Sequence, residues 1–329
     1  MRTFEYERAA TIDAALARLP QPDTQLIAGG TELLNWIKEG IEAPQLVLDI
    51  TGLPLTGIEA GDSGLRVGAL ETMSDVQADR AIQREYPVIA QALVKSASAQ
   101  LRNMATIGGN LLQRTRCPYF RADVSLPCNK REPGSGCAAL DGGDTSRHAI
   151  FGGSRHCVAT HPSDLAVALA ALDASVVARS ARGERRIPLT GFHRLPGEQP
   201  DRHTELLADE LIVAVEVPAE VAARRSHYVK VRERTSYEFA VVSAAAVVEL
   251  DGHTITRARV AIGGVAPRPW RLRNTEVELP GIDVGDTEGL RAAVAESFGE
   301  ASPLPGNEFK VELAQRATVR AVQDAGATT

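Results

Sequence analysis

The sequence predicts a fold of mixed helices and strands in two parts, and three observations predict it. Strand-like and helix-like patterns alternate at short spacing from Thr11 to Ile50. Past residue 220 the pattern becomes long apolar runs that pair as antiparallel strands, closed by two helical segments. Between them lies an aperiodic stretch, Arg114 to His161, rich in Arg, Gly, Pro, Cys and His, which carries all four cysteines. A loop of that length inside a compact protein is either functional or disordered as a rule.

The elements follow in order. Thr11 to Leu19 has helical periodicity with Thr11 as N-cap, and Gln25 to Gly30 reads as a buried strand running into glycines. A helix over TELLNWIKEG stops at Gly40, and Gln45 to Ile50 is the second strand of a βαβ unit. Gly64 to Leu70 is a further strand, followed by a helix from about Ser74 and an Ala-rich helical stretch from Tyr86 to Ala99. After the cysteine region, His161 to Arg179 reads as helix then strand, and Glu210 to Pro218 as a strand stopped by proline. AEVAARR is polar enough to carry a domain boundary near residue 220. Beyond it YVKVRER, the run ending in AAAVVEL, and Arg257 to Gly264 read as antiparallel strands with a turn at Asp251-Gly252. Helices over Thr287 to Phe298 and Glu308 to Ala325 close the chain. No repeat of solenoid period is present.

The 329 residues suffice for two domains at roughly 150 residues each. With 44% hydrophobic and 24% charged residues the chain is an ordinary globular one. A net charge of -6 argues against general nucleic-acid binding, which needs basic surface to gain from counterion release. No window is long and apolar enough for a membrane span, and the first twenty residues contain no apolar core of a secretory signal. Folding in the cytoplasm is therefore expected.

Four features bear on chemistry. In Gln25 to Leu34, QLIAGGTELL, a strand passes through Gly29-Gly30 into a helix at Thr31, which gathers unpaired backbone N–H groups where no Cβ blocks an anion. The same glycines equally serve a tight strand-to-helix turn. A second Gly-Gly turn lies in LRNMATIGGNLL, with Thr106 and Asn110 beside it. Two such loops can clamp a pyrophosphate from both sides, and since GxGxxG and GxxxxGK[ST] are absent, a dinucleotide held outside a Rossmann fold or P-loop is favoured. The third feature is the cysteine set, Cys117, Cys128, Cys137 and Cys157. Disulfides are disfavoured without a secretion signal, and no two cysteines stand two to four residues apart as in zinc knuckles. Spacing leaves open an iron–sulfur cluster, zinc with His148, His156 or His161 as optional ligands, or unligated thiols or disulfides. The fourth is a basic cluster, Arg114, Arg116, Arg121, Lys130 and Arg131, with only Asp123 nearby in sequence; it would either raise the potential of a thiolate-held cluster or form a solvated docking face. No GxSxG, HExxH or catalytic carboxylate pair occurs, and no catalytic residue is assigned.

AGGTELL, LRNMATIGGNLLQRTRCPYFR, PCNKREPGSGCAAL, CVATHPSDLAVALAALDA and GGVAPRPWR together resemble, nearly end to end, the FAD-binding medium subunit of the xanthine dehydrogenase family of molybdenum hydroxylases, and most of all the FAD subunits of bacterial periplasmic aldehyde oxidoreductases. The resemblance implies an α+β fold: a vanillyl-alcohol-oxidase-like FAD domain over residues 1–220, with subdomains of about 1–52 and 53–220, and a CO-dehydrogenase-flavoprotein-like α+β domain over 221–329. It implies FAD between the subdomains, its pyrophosphate on the first loop (Gln25, Leu26, Ile27, Ala28, Gly29, Gly30, Thr31, Glu32, Leu33, Leu34) and the second (Thr106, Gly108, Gly109, Asn110). Asp164 is expected at the ribityl or pyrophosphate region, Ile212 against the flavin, Lys230 at the isoalloxazine, and Arg116 in the same neighbourhood. Glu32 stands where Asp or Asn is usual, a conservative departure.

Many family members join the second loop almost directly to the helix after HPSD. The insertion of about residues 114–160 resembles that of aldehyde oxidoreductase and hydroxybenzoyl-CoA reductase flavin subunits, which implies a [4Fe-4S] cluster on Cys117, Cys128, Cys137 and Cys157. The expected role is electron transfer in a heterotrimer, from a small subunit with two [2Fe-2S] clusters, itself fed by a large molybdenum-cofactor subunit, to an external acceptor. Related hydroxylases or aryl-CoA reductases are the alternative, with a zinc-stabilised interaction subunit behind them. A free-standing flavin oxidase is disfavoured by the lack of a general base and by few aromatics. The resemblance favours a periplasmic location, reached by export of the folded complex on a partner's signal.

Overall fold

The computed structural model describes residues 2–219 and 223–328. Its first sheet has β3 (Leu46–Asp49) between β1 (Glu5–Arg8) and β2 (Thr24–Ile27), all parallel. Two short helices make the crossovers. α1 (Ile12–Arg18) begins at Thr11, whose hydroxyl accepts the Ala14 N–H at 3.1 Å, and α2 (Leu33–Lys38) is stopped at Gly40, which holds a φ of 68° that only glycine adopts cheaply. The expected βαβ unit is thus β2-α2-β3. β1 was not expected: its residues are mostly exposed, so the strand has no apolar alternation to announce it.

The second sheet is antiparallel and runs in the order β4-β5-β8-β6-β7, from β4 (Ile58–Gly61), β5 (Gly64–Gly68), β6 (Ser175–Ser180), β7 (Gly183–Pro188) and β8 (Leu211–Val217). Between β5 and β6 come α3 (Met73–Ala78), α4 (Arg80–Glu85), α5 (Pro87–Lys95), α6 (Ala99–Arg102), α7 (Ile107–Leu111), the cysteine region and α8 (Asp164–Ala171); α9 (Leu189–Phe192) follows β7. All eight residues of α8 are buried, because it packs on α5 on one side and on the C-terminal sheet on the other.

That third sheet has the order β12-β11-β10-β9, from β9 (Ser226–Val231), β10 (Val242–Asp251), β11 (Thr254–Gly263) and β12 (Trp270–Arg271), and is antiparallel throughout. β10 explains why its apolar run is continuous rather than alternating. Val242, Ala244, Ala246 and Val248 face a core shared with α11 (Thr287–Ala295) and α12 (Phe309–Ala327), whereas Ala245 and Val247 face the core around α8. A sheet covered on both faces needs apolar residues at every position. α10 (Arg273–Glu278) and a 3-10 turn at Glu296–Phe298 complete this part. The hairpin turn falls at Gly252-His253, one residue beyond the expected pair. Residues 220–222, on which the expected domain boundary falls, lie outside the described residues.

Among the described residues, no helix or strand of the three sheets lies between Leu111 and Asp164. The insertion is nevertheless ordered by specific bonds. The backbones of Cys128 and Cys137 form an isolated antiparallel β-bridge, as do those of Ser154 and Cys157. The Asn129 side chain accepts the N–H groups of Gly134 and Gly136, both at 3.0 Å, and donates to the His156 carbonyl at 2.9 Å. Phe120 and Phe151 are buried anchors.

Candidate functional site: a glycine-walled cleft and its cysteine insertion

A cavity of about 620 Å³ opens between the first sheet and the second. The whole first loop lines it from Gln25 to Leu33; Leu34 does not, and its side chain is exposed instead. The reason is the helical turn at that point, which rotates Leu33 inward and its neighbour outward. Gly29 is required by contact rather than by dihedral: a Cβ there would sit 1.7 Å from the Met104 carbonyl oxygen. Gly30 holds a φ of 70°. The backbone N–H groups of Gly29, Gly30, Thr31 and Glu32 donate to no other described residue, so this loop can receive an anion.

The second segment differs from its expected form. TIGGN is not an open turn but the start of α7, capped by Thr106, whose hydroxyl accepts the Gly109 N–H at 3.2 Å. The N–H of Ile107 goes to the Glu71 carbonyl at 2.9 Å, that of Gly108 to Ala69 at 2.8 Å, and that of Asn110 to Thr106 at 2.8 Å. Its N–H groups are thus consumed within the protein. Gly108 is wedged on Ala69, where a Cβ would make a 3.2 Å contact, while Gly109 would meet only Thr106 and borders open space. Thr106, Gly108, Gly109 and Asn110 all line the cleft. They form a smooth wall against which a ligand can lie, and the first loop supplies the free donors.

Asp164, Ile212, Lys230 and Arg116 line the same cleft. Asp164 and Lys230 form a buried ion pair at 2.8 Å, with side chains 5% and 1% exposed. The carboxylate also accepts the Ser96 hydroxyl at 2.8 Å and the Tyr228 hydroxyl at 2.5 Å, while Lys230 donates to the Lys95 carbonyl at 3.0 Å. Burial, then the neighbouring Asp164 charge, drives the Tyr228 hydroxyl well above its ordinary range, so it stays a donor. The two-residue period of a strand puts Tyr228 beside Lys230, a signal the sequence does contain. Ser163 caps α8 and donates to the Asn110 side chain at 2.6 Å, tying the wall to the buried pair. Tyr237 and Phe239 border the cleft from an irregular segment with no periodic signature; Phe239 stacks under the Arg116 guanidinium at 4.7 Å.

The basic cluster is neither free nor beside a lone Asp123. Glu32 accepts Arg116 at 3.0 Å and Arg121 at 2.6 Å, Glu39 accepts Arg121 at 2.8 Å, and Glu42 pairs with Arg114. Arg131 donates to the Ala122 carbonyl at 2.8 Å. Most of the cluster therefore fastens the insertion onto α2 and the first loop instead of forming a solvated patch, since partly buried guanidinium groups need carboxylate partners.

All four cysteines are free, Cys128 and Cys157 buried, Cys117 and Cys137 partly so. Burial pushes the Cys117 thiol up to about 12, opposed by the backbone N–H groups of Phe120 and Tyr119 and reinforced by Cys157 and Cys128 nearby. Burial also raises Cys157, opposed by Lys130 and by the Ala159 N–H, which points at its sulfur from 3.5 Å. Among the described residues no three His, Cys, Asp or Glu side chains gather closely enough for a single metal ion. His148 Nε2 is 3.3 Å from the Cys117 sulfur, but His156 is taken by Glu198 at 2.9 Å and His161 packs on His193, so the optional zinc ligands do not converge. The four sulfurs lie in one neighbourhood, in which backbone N–H groups reach Cys117 and Cys157 and the Lys130 ammonium lies near Cys157; such soft donors are the kind an iron–sulfur cluster would take.

This α+β architecture, with a glycine-walled cleft and a C-terminal antiparallel sheet, is that of a flavoprotein subunit. Residues 2–220 match the FAD binding domain in molybdopterin dehydrogenase, residues 227–325 match the CO dehydrogenase flavoprotein C-terminal domain, and the chain belongs to this family of FAD-binding oxidoreductase subunits. It is similar to the aldehyde oxidoreductase FAD-binding subunit PaoB of Escherichia coli K12, at 46% identity over 99% of both chains. The putative xanthine dehydrogenase FAD-binding subunit XdhB of the same organism is 27% identical over 97% of this chain and 95% of its own length. In structure, the chain superposes on a subunit of carbon monoxide dehydrogenase from Hydrogenophaga pseudoflava with a TM-score of 0.75 and 25% identity, covering 99% of this chain and 98% of that one.

Proposed function

We propose that the chain is the FAD- and [4Fe-4S]-containing electron-transfer subunit of a heterotrimeric molybdenum-dependent aldehyde oxidoreductase. In this reading it works beside a large molybdenum-cofactor subunit and a small subunit with two [2Fe-2S] clusters, passes electrons to an external acceptor, and is exported to the periplasm as a folded complex on a partner's signal. The division into a FAD domain, with subdomains meeting near residue 52, and a C-terminal domain from about residue 221 belongs to the same reading. The observation that carries it is the docking of the four-cysteine insertion on the FAD cleft: Arg116 lines the cleft and its sequence neighbour Cys117 is the first thiol of the set. The 46% identity to the whole of PaoB favours an aldehyde as substrate of the complex over the other substrates of the family.

FAD supplies the ability to take electrons singly and release them singly or in pairs. The residues of this chain bind and orient it. The free N–H groups of the first loop would receive its pyrophosphate, α7 would offer a wall without side chains at Gly108 and Gly109, and Ile212 would lie against the ring system. The Asp164–Lys230 pair fixes the polar end of the cleft. Cys117, Cys128, Cys137 and Cys157 would hold the cluster, whose chemistry is one-electron exchange. A visible spectrum with iron and sulfide analysis of anaerobically purified protein tests the reading. The expected result is flavin bands over broad cluster absorbance with about four irons per chain; a yellow, iron-free protein would remove the cluster, and a colourless one the whole reading.

A further inference from the structure

A buried cation in the C-terminal part has no carboxylate to pair with. Lys310, the second residue of α12, is 1% exposed, and its ammonium donates to two neutral acceptors, the carbonyls of His148 at 3.0 Å and Gly264 at 2.8 Å. No carboxylate stands within ion-pair reach of it among the described residues. A charge withdrawn from water and served by neutral acceptors alone is strongly disfavoured. Lys310 also lines a small cavity of about 60 Å³ whose wall includes Cys117 and Asp164. The other charges on that wall are cancelled where they stand: Arg116 by Glu32, Arg147 by Glu233 and Glu238, and Asp164 by Lys230. Lys310 therefore leaves the cavity with one net positive charge. Two histidines of the same wall add buried ring atoms without a partner, Nδ1 of His148, which is 2% exposed, and Nε2 of His161. Buried polar groups are hydrogen-bonded almost without exception, so orphans gathered on one wall mark the place of an occupant.

We propose that this cavity binds one small monovalent inorganic anion of the halide class, held by the Lys310 ammonium. The space has room for about four water-sized particles, enough for an ion with its first waters and too little for a nucleotide. The single uncompensated charge matches a single negative one, whereas a divalent oxyanion would bury an excess charge of its own. Each histidine ring can turn either an N–H or a lone pair toward the ion and its waters. Arg147 and Phe239 line the cavity and are both exposed, which gives the ion a way in from solvent. Once bound, the ion ties α12, through Lys310, to the insertion, through His148.

The test uses the intact protein with whatever subunits it carries. Crystals soaked in sodium bromide are measured at the bromine absorption edge. Thermal unfolding is followed along a titration of sodium bromide against sodium gluconate at constant ionic strength, gluconate being too large for the cavity. The expected result is an anomalous peak in the cavity beside the Lys310 ammonium and a saturable rise in melting temperature of about 2–4 °C in wild type. Lys310→Gln, which keeps a donor for the carbonyls without the charge, should show neither. A cavity holding water and no bromide would overturn the proposal. So would a peak in the crystal without saturable stabilisation in solution, which means binding at crystal concentration only. Equal stabilisation of Lys310→Gln and wild type would place the ion elsewhere and overturn it as well. If Lys310→Gln does not fold, the wild-type peak and titration decide by themselves.

Discussion

Gly29 passes so close to Met104 that the two glycine-bearing segments touch through bare backbone, with no room for one methyl group between them. The first loop and the segment leading into α7 are therefore a single wall. Gly29→Ala forces the Met104 backbone away and opens the seam, at about 1–3 kcal/mol for overpacking that cannot relax through a side chain. We expect the flavin-to-protein ratio after gel filtration to fall, and FAD affinity to drop about tenfold or more. Retention of stoichiometric flavin at wild-type affinity would show that the seam does not set the cleft.

Glu32 is the single carboxylate that joins the first loop to two arginines of the insertion. Glu32→Gln keeps its shape and removes the charge, at about 1.5–3 kcal/mol for charged hydrogen bonds. The insertion should then detach locally while the rest of the fold holds. Limited proteolysis should cut between residues 114 and 160 at least several-fold faster than in wild type; an unchanged cleavage rate would contradict the docking role.

Asp164→Asn strands Lys230, which is 1% exposed. Breaking one side of a buried pair costs about 3–5 kcal/mol, so the denaturant midpoint should drop sharply. Pairing the change with Lys230→Met should recover part of that loss, because no uncompensated charge remains. A double variant no more stable than Asp164→Asn alone would mean that Tyr228 and Ser96, not Lys230, depend on the carboxylate.

Three histidines, His193 buried and His161 and His203 partly so, set an acid limit. Burial lowers His193 to about 4 and His203 to about 2, and holds His161 well below its ordinary value. The unfolded chain takes up protons on these rings as pH falls through about 6.5, while the folded chain does not. Stability is therefore full above that point and is lost as pH drops toward 4, by about 1.4 kcal/mol per pH unit for each ring. Urea midpoints between pH 7 and 4.5 should show this slope, and His203→Gln should flatten it. An unaltered slope in that variant would remove His203 from the account.

Cys128→Ser should deplete iron while leaving much of the FAD, because Cys128 does not line the cleft. Atomic absorption and flavin absorbance on the same sample read both. Iron content equal to wild type would take Cys128 out of the ligand set.

Much of this was legible from local pattern. Thr11 and Gly40 mark helix ends by the chemistry of their own positions, and the β10 run announces a strand covered on both faces. What stayed hidden depends on distant partners. The glycines of TIGGN argue against a helix, yet the Thr106 cap and the Ala69 and Glu71 carbonyls impose one. The arginines of the insertion read as a free basic patch because their carboxylates, Glu32, Glu39 and Glu42, lie in the residues flanking α2, 82 and 89 residues away for Arg121. β7 escaped notice because its residues are mostly exposed and charged.

The insertion is also bound from its far side. The Asn307 side chain donates to the carbonyls of His148 and Ala149, the Lys310 ammonium to that of His148, and Thr145 to that of Pro305, across separations of 158 to 162 residues. During synthesis Thr145, His148 and Ala149 leave the ribosome long before Pro305, Asn307 and Lys310, their partners. These bonds cannot form until the segment from Pro305 to Lys310 has emerged. The far side of the insertion therefore gains its last hydrogen-bond partners only when the C-terminal segment folds against it.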